Sequence, residues 1–189
     1  MNKRSFLKLV LLTTVGGIGV AEPALAAKPV IAAITEQDVL QAQQAWAQGI
    51  VEIGKVYQDG GDYKAAASKL LDQLYGYGHG KVLFKPTKAA YDQFRETKAE
   101  AMSYFVGGEN PEDHGFALQP WSAVRFENNG IVIDADADTA EAMGNYFFTD
   151  AKTGNEVKVE YTFAYKRLKD GRVVIFLHHS SLPYQPVAH

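Results

Sequence analysis

The stretch from Val157 to Lys166 constrains this chain most. Val157, Val159, Tyr161, Phe163 and Tyr165 alternate without a break with Lys158, Glu160, Thr162, Ala164 and Lys166. A period of two sends each set to its own face, so the spacing predicts a half-buried β-strand with an aromatic inner side. Lys169-Asp170-Gly171 supplies a hairpin turn, and residues 173–181 form the closing strand. Upstream, residues 116–126, 131–135 and 142–149 predict further strands, with Asn128-Asn129-Gly130 as the turn between the first two. The stretch between the second and third is expected to be a bulge or corner.

The first half of the chain has a different period. Val39, Ala42, Trp46, Ile50, Ile53 and Tyr57 recur at steps of three and four, which makes one apolar stripe along a long helix. Thr35 is its candidate cap, ahead of the acidic turn Glu36-Gln37-Asp38. Asp59-Gly60-Gly61-Asp62 breaks it. A second helix carries Tyr63, Ala66, Ala67, Leu70, Leu71 and Leu74, and Gly76, Gly78 and Gly80 end it. Val82-Leu83-Phe84 predicts a short buried strand, stopped by Pro86. Helical spacing returns over residues 88–106, through Tyr91, Phe94, Ala101, Met102 and Phe105, before the loop Gly107-Gly108-Glu109-Asn110-Pro111.

Helices followed by hairpin-connected strands argue for an α+β domain rather than a parallel doubly wound sheet. The long first helix must bury its stripe, and the concave face of a strongly curved antiparallel sheet offers the apolar surface. That arrangement is the cone of the nuclear-transport-factor-2-like fold. There are no internal repeats and no low-complexity segments.

The amino terminus is expected to be an export signal. Lys3, Arg4 and Lys8 precede a short apolar run from Leu9 to Val20, too short to span a bilayer, and Ala24-Leu25-Ala26 offers small residues for cleavage. Lys3-Arg4-Ser5-Phe6-Leu7-Lys8 resembles a twin-arginine signal with lysine in the first arginine position; the ordinary secretory route stays open. The expected organisation is a leader over residues 1–26, a tether over 27–34 and one domain over 35–189, exported to a periplasm or equivalent lumen. Losing Lys3, Arg4, Lys8 and Glu22 takes the formal charge from −3 to −5. An acidic domain without a basic stripe is a poor nucleic-acid partner, and nothing after the leader is suited to a membrane. The chain has no cysteine, which excludes disulfides, thiolate nucleophiles and cysteine-held metals.

The closing strand carries the most chemistry. It ends Phe176-Leu177-His178-His179-Ser180-Ser181-Leu182-Pro183-Tyr184. If the strand is regular, His179 and Ser181 share a face with Val173, Ile175 and Leu177, while His178 and Ser180 share the other with Val174 and Phe176. A strand running out to solvent would explain the polar end as well as a pocket does. Adjacent histidines on opposite faces do not readily hold one metal. His79, His114 and His189 are scattered through loops and the C-terminus, so a three-histidine zinc site would need distant segments. Asp134, Asp136 and Asp138 alternate as an exposed polar edge and lack the pattern of a calcium loop. Nucleophile-elbow, phosphate-loop and dinucleotide motifs are absent.

The segment His178-His179-Ser180-Ser181-Leu182-Pro183-Tyr184 resembles the C-terminal signature of iota-class carbonic anhydrases. That family is built on a domain similar to the association domain of calcium/calmodulin-dependent kinase II. Val82-Leu83-Phe84-Lys85-Pro86-Thr87, Ser103-Tyr104-Phe105-Val106-Gly107-Gly108 and Gly144-Asn145-Tyr146-Phe147-Phe148 resemble other family segments in the same order. The resemblance covers nearly all of the chain after the leader. It implies reversible hydration of carbon dioxide to bicarbonate, a homodimer, and a site that works without a bound metal or other cofactor. Thr87, Tyr104 and one of the closing serines match the polar residues expected around bicarbonate. Leu177 stands where some members have a third histidine, which weakens a metal reading further.

The candidate catalytic set is therefore Thr87, Tyr104, His178, His179, Ser180 and Ser181. Without a metal, a base must take the proton of the attacking water and donors must hold the growing negative charge. Histidine has the ordinary pKa for the first task. The hydroxyls of Thr87, Tyr104, Ser180 and Ser181 suit the second. Phe84, Phe105 and Leu177 are expected to form the apolar wall, and His179 and Ser181 to face the pocket with Thr87 and Tyr104; a bulge at the histidines would exchange the pairs and keep Ser180 a candidate. Two other readings share the fold: a non-catalytic oligomerisation or ligand-binding module, and an isomerase or dehydratase needing an inward carboxylate, for which Glu160 is the candidate.

Overall fold

The computed structural model describes residues 32–134, 136 and 138–186. All of them lie in one unit, Ile31–His189. The expected leader, most of the tether and His189 lie outside the described residues.

Helix α1 (Glu36–Gln58) starts at Thr35, whose hydroxyl accepts from the Asp38 amide at 3.2 Å while the Asp38 carboxylate accepts from the Thr35 amide at 2.9 Å. This reciprocal box satisfies donors that a helix start otherwise leaves open. Its buried stripe is Val39, Ala42, Gln43, Trp46, Ala47, Ile50, Ile53 and Gly54; Tyr57, expected on that stripe, is exposed. Helix α2 (Tyr63–Leu74) is capped by Asp62 and buries Ala67, Leu70 and Leu71. Strand β1 (Leu83–Lys85) is short, with Phe84 buried and Leu83 exposed. Helix α3 (Lys98–Val106) opens with a second capping box, Thr97 with Glu100.

Four strands follow: β2 (Trp121–Asp134), β3 (Thr139–Asp150), β4 (Glu156–Arg167) and β5 (Val173–Ser181). They and β1 form one sheet in the order β1-β5-β4-β3-β2. The β2–β3, β3–β4 and β4–β5 pairs are antiparallel, as hairpins require, but β1 adds to β5 in parallel, so the sheet is mixed. Among the described residues no helix is long and apolar enough to cross a membrane.

Several local expectations change. The strand expected from residue 116 starts only at Trp121, and Phe116–Leu118 is a 3-10 turn. Asn128-Asn129-Gly130 does not reverse the chain. It lies inside β2 as a bulge, with the register shifting between Asn128 and Gly130. The reversal comes at Asp134–Thr139, where Asp138 takes a positive φ of 54° and Asp136 lies in the turn rather than on a strand edge. Residues 86–97 are not helical either. Tyr91 and Phe94 are exposed, and the segment is tied to the next loop. Glu112 accepts from the amides of Ala90, Tyr91 and Asp92 at 2.7–3.1 Å, which hold its carboxyl below its ordinary range. Arg95 is fully buried and forks onto Asp113 at 2.6 and 3.2 Å.

The core gathers around Trp46. Phe105, Phe126, Tyr146, Phe148, Phe163 and His178 meet its ring edge-on. Edge-on packing sets the positive rim of one ring against the negative face of another. The inner face of β4 is Val159, Tyr161, Phe163 and Tyr165, all buried, as the alternation requires.

Candidate active site

A second bulge decides which polar side chains enter this core. Ala164 pairs with Leu177 and Tyr165 with Ile175, which leaves Phe176 as an extra residue in β5. One extra residue reverses the alternation beyond it. Ile175 faces inward before the bulge, and His178 and Ser180 face inward after it, each 2% exposed. His179 and Ser181 turn to the outer face, where Ser181 donates to Glu160 at 3.0 Å. The expectation that His179 and Ser181 share a pocket with Thr87 and Tyr104 is thus reversed. Leu177 goes outward with them and cannot wall the pocket. Glu160 is exposed on the same outer face, so it supplies no inward carboxylate.

His178 lies between two rings. Phe84 stacks on it with centroids 4.4 Å apart, and Phe163 approaches at 4.0 Å. Burial, helped by the neighbouring His179, pushes its pKa well below the ordinary 6.5. Its Nδ1 lies 2.7 Å from Tyr75 Oη and its Nε2 2.9 Å from Ser180 Oγ. Ser180 Oγ makes a short hydrogen bond with Tyr146 Oη. The Thr87 side chain lies beside the Tyr146 hydroxyl. Trp46 Nε1 donates to Tyr75 Oη at 2.9 Å.

Thr87, just past β1, is half-buried, and the tied segment that follows it holds it at the edge of the core. Tyr104 comes from α3, is 5% exposed, and has the backbone amides of Lys88 and Thr87 beside its hydroxyl. Burial pushes the phenols of Tyr104 and Tyr146 well above their ordinary range. Every one of these groups is therefore neutral near pH 7. Tyr104 also lines a cavity of about 370 Å³ with Lys88, Asp113, His114, Phe116 and Gln119. Thr87, Tyr104, His178 and Ser180 are thus brought to one region of the core, while His179 and Ser181 are not. Tyr146, Tyr75 and Trp46 were not singled out from sequence. Tyr146 lay in a segment that carried the family resemblance, whereas Tyr75 and Trp46 look like ordinary core aromatics. Among the described residues no cluster of three or more histidine, aspartate or glutamate side chains is placed to hold a metal.

A family model described as metal-independent carbonic anhydrase matches residues 37–182. The chain belongs to that family. A relative from Nostoc sp., a metal-independent carbonic anhydrase, is 45% identical over 158 residues, covering 81% of this chain and 76% of its own. The crystal structure of a cyanobacterial iota-carbonic anhydrase complexed with bicarbonate superposes with a TM-score of 0.79 at 42% identity, covering 85% of this chain and all of that one. A putative dehydratase of the nuclear-transport-factor-2-like family from Streptomyces avermitilis superposes at 0.50 with 13% identity, covering 79% and 96% of the two chains, which speaks for the fold alone. Membership places the buried His178–Ser180 end of β5 within a family whose description needs no metal.

Proposed function

We infer that this chain is a metal-independent carbonic anhydrase that interconverts carbon dioxide and bicarbonate, with Thr87, Tyr104, His178, Ser180 and Tyr146 forming its site. The observation that carries the reading is the polar row His178–Ser180–Tyr146, with Thr87 beside its end, inside an aromatic core. Family membership and the bicarbonate bound by the cyanobacterial relative support it.

The chemistry follows from the neutrality of the site. Water attacks the carbon, and negative charge grows on the former carbon dioxide oxygens as water loses a proton. Hydroxyls of Thr87, Tyr104 and Tyr146 are donors for that charge, held in place before reaction. Phe84 and Phe105 are apolar surface suited to carbon dioxide. His178 does not store the released proton, because burial makes it a weak base. Its task is to hold Ser180. The proton is taken by a solvent water in the cavity that Tyr104 lines and leaves with it, and bicarbonate departs the same way.

Stopped-flow hydration by the metal-stripped protein tests the reading. Turnover above the buffer rate, retained in chelator, is expected. A rate no higher than buffer alone overturns it.

We also propose export of the mature chain to a periplasm or equivalent lumen after cleavage near Ala26, on the basic start, short apolar run and small residues described above. Mass spectrometry of the exported protein should find a mature end near Ala27; an intact Met1 end rules this out. We propose a homodimer as well. Met143 and Val132 are exposed on the outer face of the sheet, which favours a partner there. Sedimentation at micromolar concentration is expected to give twice the monomer mass, and a monomer there would refute it.

A further inference from the structure

Trp46 and Tyr75 stand behind His178, away from the hydroxyls assigned to substrate. The contacts run in one line: Trp46 Nε1 to Tyr75 Oη at 2.9 Å, Tyr75 Oη to His178 Nδ1 at 2.7 Å, and His178 Nε2 to Ser180 Oγ at 2.9 Å. Tyr146 continues it, with Thr87 beside its hydroxyl. Trp46, Tyr75, His178, Ser180 and Tyr146 are each no more than 2% exposed, so protein atoms rather than bulk water must satisfy them.

Donor chemistry fixes the direction of this line. An indole N–H can only donate. The Tyr75 oxygen therefore accepts from Trp46, and its own hydrogen needs an acceptor. Among the described residues its other hydrogen-bond partner is His178 Nδ1. The reverse arrangement, with an Nδ1–H aimed at Tyr75, strands a buried phenol hydrogen, which folded proteins avoid. A neutral imidazole that accepts at Nδ1 carries its hydrogen on Nε2. That hydrogen goes to Ser180 Oγ, so the Ser180 hydrogen goes to Tyr146. The Tyr146 hydrogen is left pointing out of the row, on the side of Thr87.

We propose that Trp46 and Tyr75 are positioning residues: they hold His178 as its Nε2–H tautomer and so polarise a one-way row of donors that ends with Tyr146 offering its hydrogen, beside Thr87, to a substrate oxygen. The inference rests on the hydration reading above and adds what sets the hydroxyls as donors before substrate arrives. Such orientation costs no rearrangement during reaction. The far end of the row is closed to proton loss. The Trp46 N–H does not ionise, and burial pushes the Tyr75 phenol well above its ordinary range. The row therefore orients hydroxyls and does not export the hydration proton.

Nitrogen-15 NMR of the whole protein, labelled at histidine and with His178 assigned by difference against His178→Gln, tests this directly. The expected spectrum has a pyridine-type Nδ1 and a pyrrole-type Nε2 at neutral pH. Tyr75→Phe removes one oxygen and keeps the ring. It is expected to release the tautomer into a mixture and to lower kcat about tenfold, the lower end of what a lost preorganised donor costs, with native circular dichroism. A pyrrole-type Nδ1 in the unaltered protein overturns the inference, and that spectrum decides even if Tyr75→Phe does not fold. A folded Tyr75→Phe with unchanged shifts and kcat overturns it too. The expected tautomer in a protein that hydrates no carbon dioxide overturns the functional reading instead, and leaves the tautomer standing.

Discussion

Phe84 stacks on His178 with ring planes 18° apart, and the two residues are also register partners across the parallel β1–β5 pair. The parallel edge strand thus places an apolar ring over the imidazole. With Phe163 on the other side, water has little access to the ring. The same packing that builds the core keeps the site histidine uncharged.

That packing predicts a pH dependence of stability. Folding depresses the pKa of His178 well below its ordinary 6.5. Above pH 6.5 both folded and unfolded forms are neutral there, and the contribution is constant. Below it the unfolded chain takes up a proton that the folded chain excludes. Stability therefore falls by up to about 1.4 kcal/mol per pH unit until the folded pKa is reached. Urea titrations between pH 7 and pH 5 should show the loss, and His178→Gln should flatten this part of the profile. An unchanged slope in the variant would show that His178 is not its source.

Mutation of the closing strand should separate its two faces. Ser180→Ala and Thr87→Ala remove site hydroxyls and are expected to lower hydration by at least about tenfold. Ser181→Ala and His179→Ala alter the outer face and should leave hydration within about twofold, in line with the small effects of surface changes. Stopped-flow rates for the four variants, each checked by circular dichroism, give the comparison. A larger loss in Ser181→Ala than in Ser180→Ala would mean that the bulge at Phe176 has been assigned wrongly.

Most of the fold was readable from periodicity. The inner face of β4, the stripe of α1 and the start of α1 at Thr35 follow from spacing and cap chemistry alone. What could not be read was parity beyond a bulge. Phe176 looks like any strand residue, yet as the extra residue it exchanges His178 and Ser180 for His179 and Ser181. Asn128-Asn129-Gly130 has turn composition but pairs across to β3, and only tertiary pairing separates a bulge from a turn there. Tyr91 and Phe94 have helical spacing, but Glu112, 21 residues past Tyr91, takes its amide, and Arg95, which takes the adjacent Phe94 carbonyl, is itself held by the distant Asp113. Tyr75 carries no local signal, since its importance lies in a partner 103 residues away.

The Arg95–Asp113 pair is predicted to be the main anchor of the segment that follows Thr87. Arg95 also donates to the carbonyls of Asp92 and Phe94, and both charged side chains are fully buried. Removing Arg95 leaves the buried Asp113 charge uncompensated, which typically costs about 3–5 kcal/mol. Arg95→Met should lose stability on that scale in denaturant titrations, and Asp113→Asn should lose less, because Glu112 at 3.7 Å and Asp92 at 3.8 Å still face the guanidinium. The double variant Arg95→Met/Asp113→Leu should lose less than the sum of the two single changes, because neither charge remains. Strict additivity would show that the two side chains are not coupled.

Gly144 links the bulge in β2 to Tyr146. A Cβ at Gly144 would sit 2.1 Å from the Glu127 carbonyl oxygen and 2.8 Å from the Asn129 nitrogen, both backbone atoms. The bulge at Asn128–Gly130 brings its backbone over this position, and only glycine leaves room. Gly144→Ala must therefore push β2 and β3 apart, at a cost of about 1–3 kcal/mol for a forced overpacking. The displacement would reach Tyr146 two residues on, whose hydroxyl bonds to Ser180. Hydration should fall by more than the fraction of unfolded protein explains, and the short Tyr146–Ser180 contact should lengthen in a crystal structure of the variant. A variant as stable and active as the original would mean that β2 leaves space over Gly144, and that the bulge does not hold Tyr146 in place.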